Sequence, residues 1–125
     1  SYSIKMDLSH LILAYLNFEE SLKEIISQLL KDGLMETMID MMQIGDIDVK
    51  LQTLEIIHFV IHDTMEHFDS SVLALFSECS GFDTINNVAS QIENMEPNDQ
   101  IKEKCEKIND LIERILYYNG QIQGN

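Results

Sequence analysis

Two short stretches decide the fold: KDGLMETMIDMM at residues 31–42 and ECSGFDTINNVA at residues 78–89. Each places a glycine, Gly33 or Gly81, at the end of a helical pattern and follows it directly with a second short apolar pattern. Glycine reaches the left-handed backbone conformation at little steric cost, so it ends one helix and lets the next begin at a new angle. The sequence therefore predicts two similar helical corners.

The segments around the two glycines also follow one order. From Leu22 and again from Val72, a helix precedes the glycine, and a short apolar helix, an acidic loop and a long amphipathic helix follow it. Gly33 and Gly81 are 48 positions apart, close to the roughly 40–47 residues of armadillo and HEAT units. A four-helix bundle is the alternative, but its helices are of similar length, whereas here short and long helices recur in order.

The prediction is thus an all-α protein with an armadillo/HEAT-like α-solenoid of about two repeats and one preceding helix. Its predicted parts are a helix at 4–16, repeats at 17–67 and 68–118, and a flexible tail at 119–125. The helix from about Val49 to Met65 is expected to be the longest, and the last helix to finish at Gly120. The predicted helix caps are, in chain order, Asp46 or Asp48, Ser70 or Ser71, and Asn98 or Asp99.

Composition restricts the classes of function. The 125 residues carry 22 Asp and Glu against 8 Lys and Arg, a formal charge of −14. Such a surface repels nucleic acid and anionic membranes and attracts basic proteins or peptides. No apolar run approaches the roughly 18–20 residues of a membrane span, and Cys79 and Cys105 lack disulfide or metal spacing. We expect a protein of the cytoplasm and nucleus.

One segment, EIIHFVIHDTMEH at residues 55–67, carries a possible metal pattern. Glu55, His58 and His62 can project from one helix face, and Glu-x-x-His is half of a carboxylate di-iron site. The second Glu-x-x-His that such a site needs is missing, so we predict no metal, no cofactor and no enzyme. Nearby carboxylates are expected to favour the charged imidazole at His58, His62 and His67.

The helix order resembles the carboxy-terminal armadillo repeats of the importin-α family. The resemblance rests on ISQLLKDGLMETMIDMM at residues 26–42, DIDVKLQTLEIIHFVI at 46–61 and the segment from FSECSGF to LIERIL at 76–116. It covers about residues 4–117 and is carried by pattern more than by identity. In that family a first helix ends in glycine, a second is short and apolar, and a third lines the concave groove.

The chain departs from the family at the groove. Importin-α holds its cargo with tryptophans and asparagines on successive third helices, and this chain has no tryptophan. The tryptophan and asparagine positions are His10 and Ala14 in the first long helix, and Glu55 and Phe59 in the second. The resemblance therefore implies the role of the family's last repeats, which bind the export receptor with Ran and GTP and a nucleoporin.

We therefore expect a protein-binding adaptor for nuclear transport. The alternatives are an armadillo/HEAT scaffold unrelated to transport and a helical-bundle metal-binding protein. Self-association through the apolar residues 4–18 is also expected, since a solenoid end exposes apolar surface. The predicted partner-binding residues are His10, Glu55, Phe59, His62, Asp63, Glu66, Glu103, Glu106 and Asp110.

Overall fold

The computed structural model describes His10, residues 20–96 and residues 98–123, and the elements within them are helical. The all-α class is thereby confirmed for this part of the chain. The predicted helix 4–16 and the self-association segment 4–18 lie outside it except for His10, which is helical and exposed. In chain order the helices are α1 (Glu20–Leu29), α2 (Met35–Ile44), α3 (Ile47–Glu66), α4 (Ser71–Glu78), α5 (Gly81–Glu93) and α6 (Asp99–Gln123).

The first glycine corner forms as predicted. Leu30–Leu34 make a π-helical turn between α1 and α2, and Gly33 leaves the helical conformation within it at φ 121° and ψ −7°. No described atom lies within 4 Å of where a Cβ on Gly33 would stand. The positive φ, not a lack of space, therefore requires glycine here.

The second corner uses glycine for a different reason, so its prediction was wrong in mechanism. Ser80 holds the left-handed conformation, at φ 62° and ψ 30°, and Gly81 is the first residue of α5. A Cβ on Gly81 would lie 2.5 Å from the ring of Phe76. Gly81 thus lets α5 begin directly against the Phe76 ring, which itself packs edge to face on Phe82.

Side-chain carboxylates or amides accept hydrogen bonds from backbone N–H groups at the amino-terminal ends of three helices. The backbone N–H of Val49 donates to Asp46 Oδ1 over 3.0 Å, and that of Ile101 donates to Asn98 Oδ1 over 2.9 Å. These two caps are among the predicted alternatives.

At α4 the prediction of a serine cap was wrong. Neither the Ser70 side chain nor any other hydroxyl caps this helix; the backbone N–H of Ser71 donates to Asp69 Oδ1 over 2.9 Å. This bond, with a second from the Ser71 side chain, holds the pKa of Asp69 below its usual value. A carboxylate is the stronger acceptor for a helix start, because it also meets the positive end of the helix dipole.

The end of α2 is held by a buried lysine from α3. Lys50 is 8% exposed, and its ammonium donates to the backbone carbonyls of Gln43 and Gly45 over 3.0 and 2.6 Å. Burial lowers the pKa of Lys50, and Asp46 partly opposes this effect. The lysine thereby satisfies carbonyls that the end of a helix leaves without intrahelical partners.

Replacing Lys50 should test this role. We expect Lys50→Met to lower the free energy of unfolding by about 1–3 kcal/mol, because two carbonyls lose a charged donor while the apolar stem is kept. Urea denaturation followed by circular dichroism measures the change. Lys102→Met, at an exposed position of α6, is the control and should leave the midpoint in place; equal midpoints for both variants would contradict the role.

The core lies between α2, α3, α4, α5 and α6. Short α2 buries Met35, Met38, Ile39 and Met42, and α3 buries a longer apolar stripe that includes Leu54, Ile57 and Ile61. The longest described helix is α6, not α3, and it continues through Gly120 to Gln123, so both length predictions were wrong.

The helices pack in a regular order. The most extensive contact joins α3 to α6, and α2 packs on both α3 and α5. Further contacts join α5 to α6 and α4 to each of its sequence neighbours, α3 and α5. None of the described helices is long and apolar enough to cross a bilayer. Cys79 and Cys105 are free thiols, both partly buried.

Candidate functional site

A cleft of about 410 Å³ opens where α3 and α6 run side by side. Two rows of side chains define it, each spaced four residues apart so that its members share a helix face. The row on α3 is His58, His62 and Glu66, and the row on α6 is Asp110, Arg114 and Tyr118. Cleft-lining residues are His58 and His62 from α3 and Asp110, Glu113, Arg114, Tyr117 and Tyr118 from α6.

A chain of polar contacts crosses the cleft through His62. The Tyr118 hydroxyl and His62 Nδ1 form a hydrogen bond. On the other side of the imidazole, Nε2 lies 3.5 Å from Glu66 Oε1. In the neutral tautomer that carries its hydrogen on Nε2, Tyr118 donates to Nδ1 and the Nε2–H points to the carboxylate. His62 therefore joins a hydroxyl on α6 to a carboxylate on α3.

Aromatic rings line the cleft. The His58 and His62 rings are stacked with centroids 5.9 Å apart, and the Tyr118 ring lies 6.4 and 6.1 Å from them. Tyr117, which is 64% exposed, meets Tyr118 edge to face at 6.1 Å. Tyr117 thus exposes apolar ring surface beside the charged side chains of the cleft.

The charges at the rim are partly paired. Arg114 donates to Asp110 over 2.9 Å, one helical turn away, and both side chains are more than half exposed. Exposed pairs of this kind contribute little to stability, about 0.2–1 kcal/mol. Arg114 can therefore exchange Asp110 for another partner at small cost.

The environment of His58 opposes the charged imidazole, so the prediction for this histidine was wrong. Burial against α6 lowers its pKa from the usual 6.5, and Arg114 and His62 lower it further, while Asp110 acts in the other direction. Just below pH 6.5 the unfolded chain then binds more protons at His58 than the folded protein does. His58 consequently contributes a loss of stability as the pH falls through this range.

Tyr118 remains a hydrogen-bond donor at neutral pH. Burial raises the pKa of its hydroxyl, and the charge of Glu66 and the neighbouring Tyr117 raise it further. Since the phenol stays protonated, its hydrogen is available to His62 Nδ1.

The structure brings only some of the predicted partner-binding residues together. His62 and Asp110 line the cleft, and Glu66 contacts His62. Glu103 pairs along its own helix with Lys107 at 3.5 Å. Glu106 lines a second cleft, of about 440 Å³, between α5 and α6. Of the others, His10 and Glu55 are exposed, Phe59 is 46% exposed and Asp63 is partly buried.

Sequence reasoning missed Glu113, Arg114, Tyr117 and Tyr118, which form most of the α6 side of the cleft. The sequence did contain a pattern that indicates this surface. The spacing of Asp110, Arg114 and Tyr118 repeats that of the α3 row, and matching rows on two helices that pack together indicate a shared surface.

The described residues contain no group of three or more His, Cys, Asp or Glu arranged to hold a metal ion. The metal-binding alternative built on Glu55, His58 and His62 gains no support from this part of the chain, since the imidazoles face Tyr118 and each other.

Comparison with known proteins gave no match to this chain among protein-family models, curated proteins or solved structures. The cleft and the acidic side chains of α3 and α6 are therefore the basis for assigning a function.

Proposed function

We propose that this chain is a protein-binding module that accepts a basic protein surface along α3 and α6. The observation that carries the proposal is the position of its acidic side chains on these two helices, which pack against each other. Glu55 and Glu66 are exposed on α3, and Glu103, Glu106 and Asp110 are exposed on α6. A net charge of −14 gives the whole molecule a field that attracts cations.

We also propose that the helices form two armadillo-type repeats. The first repeat consists of α1, α2 and α3, and the second consists of α4, α5 and α6. Its support is the pairing of equivalent helices, since α2 contacts α5 and α3 contacts α6. Stacked repeats make contacts of this kind, each unit against its neighbour. In such a stack α3 and α6 are the third helices, which line the concave side.

Charge reversal on α3 tests the binding surface. We expect Glu55→Lys with Glu66→Lys, both at exposed positions, to weaken binding of a fluorescein-labelled arginine-glycine peptide by about five-fold or more in low salt, because each exposed pair contributes about 0.2–1 kcal/mol and each reversal adds repulsion. The difference should shrink as salt screens the charges. Fluorescence anisotropy titrations at two salt concentrations measure it.

The matched control is Glu24→Lys with Glu36→Lys, which changes the net charge equally at exposed positions of α1 and α2. If both double variants weaken binding to the same extent, the peptide senses only net charge and the α3 surface is not its site. If the unmodified protein binds no peptide, the proposed function itself is wrong.

The resemblance to importin-α gives this proposal its most specific form, in which the partner is the importin-α export receptor loaded with Ran and GTP, together with a nucleoporin. Size-exclusion chromatography of the mixture tests it. Co-elution that requires GTP supports the transport role; separate elution of folded proteins leaves a protein-binding scaffold with a different partner.

A further inference from the structure

We propose that the cleft between α3 and α6 is a pH-dependent gate on this binding surface, closed to a basic partner when His58 and His62 are protonated. The inference rests on the proposed function, because it concerns how the same acidic surface responds to acid. The two imidazoles lie within the surface and not beside it: His62 contacts Glu66, and both rings line the cleft with Asp110 and Glu113.

The charge of the cleft depends on these two rings. With neutral imidazoles, the carboxylates of Glu66, Asp110 and Glu113 stand against the single guanidinium of Arg114. This excess of negative charge attracts a cationic side chain. Protonation of both histidines adds two positive charges, which balances the site and removes the attraction. Because burial lowers the pKa of His58, the charge on this ring appears only below the ordinary histidine value, at the acid end of the range.

Charged and titratable groups from both helices lie around the imidazoles. Glu66 lies on α3 itself, and Asp110, Glu113, Arg114, Tyr117 and Tyr118 come from α6. No described residue of α2 or α4, the other helices that pack on α3, belongs to the cleft lining. Carboxylates that pair with the imidazolium charges are therefore no longer available to a basic partner.

Protonation of His62 also changes its two polar contacts, one with Tyr118 and one with Glu66. Neutral His62 accepts from the Tyr118 hydroxyl at Nδ1. A protonated ring has no acceptor nitrogen, so the bond reverses: Nδ1–H donates to the Tyr118 hydroxyl oxygen, while Nε2–H pairs with Glu66 as a full ion pair. Acid thus engages Glu66 in an ion pair with His62, which removes this carboxylate as a contact for a basic partner.

The test measures binding of the labelled arginine-glycine peptide at about pH 7.5 and about pH 5, a range in which histidine is the side chain that titrates. We expect about five-fold weaker binding at the lower pH, because the two added positive charges repel the cationic peptide. In the variant His58→Gln with His62→Gln, the affinity should be nearly equal at both pH values.

His67→Gln is the matched control, because His67 is exposed and bonds the backbone carbonyl of Asp63 outside the cleft. This variant should keep the full pH response. Circular dichroism at both pH values establishes that the helices persist. Should the double variant lose helix content, His62→Gln alone, at a side chain that is 47% exposed, should show a reduced response.

The outcomes separate the gate from the function on which it rests. Absence of peptide binding at about pH 7.5 overturns the proposed function and the gate together. Binding that is unaffected by pH, or that responds to pH equally in the cleft double variant and the His67→Gln control, overturns the gate and leaves the proposed function standing.

Discussion

Replacing Phe76 with alanine should lower the free energy of unfolding by about 3–5 kcal/mol, the range for large aromatic side chains deleted from a core. Phe76 is fully buried. Its ring packs edge to face on Phe82 with centroids 5.1 Å apart and lies directly against the backbone of Gly81. The loss includes the transfer free energy of the ring, the cavity left between α4 and α5 and the edge-to-face contact.

Urea denaturation followed by far-ultraviolet circular dichroism measures this loss, with equal slopes for wild type and variant required for the comparison. Phe68→Ala is the control at the same residue type. Phe68, at the corner after α3, is 101% exposed, and its removal should change stability by about 0.5 kcal/mol or less. Equal effects of the two substitutions would mean that α4 does not pack on α5 through Phe76.

Gly81→Ala should destabilise the same corner by about 1–3 kcal/mol, although alanine is the better helix former. The added methyl group would stand 2.5 Å from the Phe76 ring, so either the ring or the start of α5 must move. Gly120→Ala should instead stabilise the protein. Gly120 is exposed within α6, and no described atom lies near its Cβ position. The substitution should therefore raise the free energy of unfolding by about 0.5–1 kcal/mol.

The two core predictions are coupled, which provides a second check. In a background of Phe76→Ala the ring that obstructs the new methyl group is gone. The substitution Gly81→Ala should then cost far less than in the wild type, and the difference is the interaction energy of a double-mutant cycle. Additive effects would show that the alanine methyl is obstructed by something other than Phe76.

Helix positions could be predicted from the sequence because their signals are local. Glycine after an apolar stripe and a carboxylate before one both act within a single turn, which is why the corner at Gly33 and the cap at Asp46 were found. The second corner was placed correctly but explained wrongly, since the contact of Gly81 with Phe76 depends on the angle between two helices.

The candidate site was predicted in part for the same reason. His62 and Glu66 stood out because they are close in sequence, whereas Tyr118 approaches His62 only when α6 lies alongside α3. The prediction for His58 failed for a similar reason. Carboxylates nearby in sequence suggested that its charged form is stabilised, but burial and Arg114 lower its pKa. Both depend on the partner helix, which no single-helix pattern specifies.

The contact between Tyr118 and His62 also has an optical consequence. The chain contains no tryptophan and four tyrosines, so tyrosine is the source of its intrinsic fluorescence. Two of the four, Tyr117 and Tyr118, lie in the cleft. A phenol that donates to an imidazole emits differently from one that donates to water. The state of the cleft can therefore be followed by the protein's own emission, without a label.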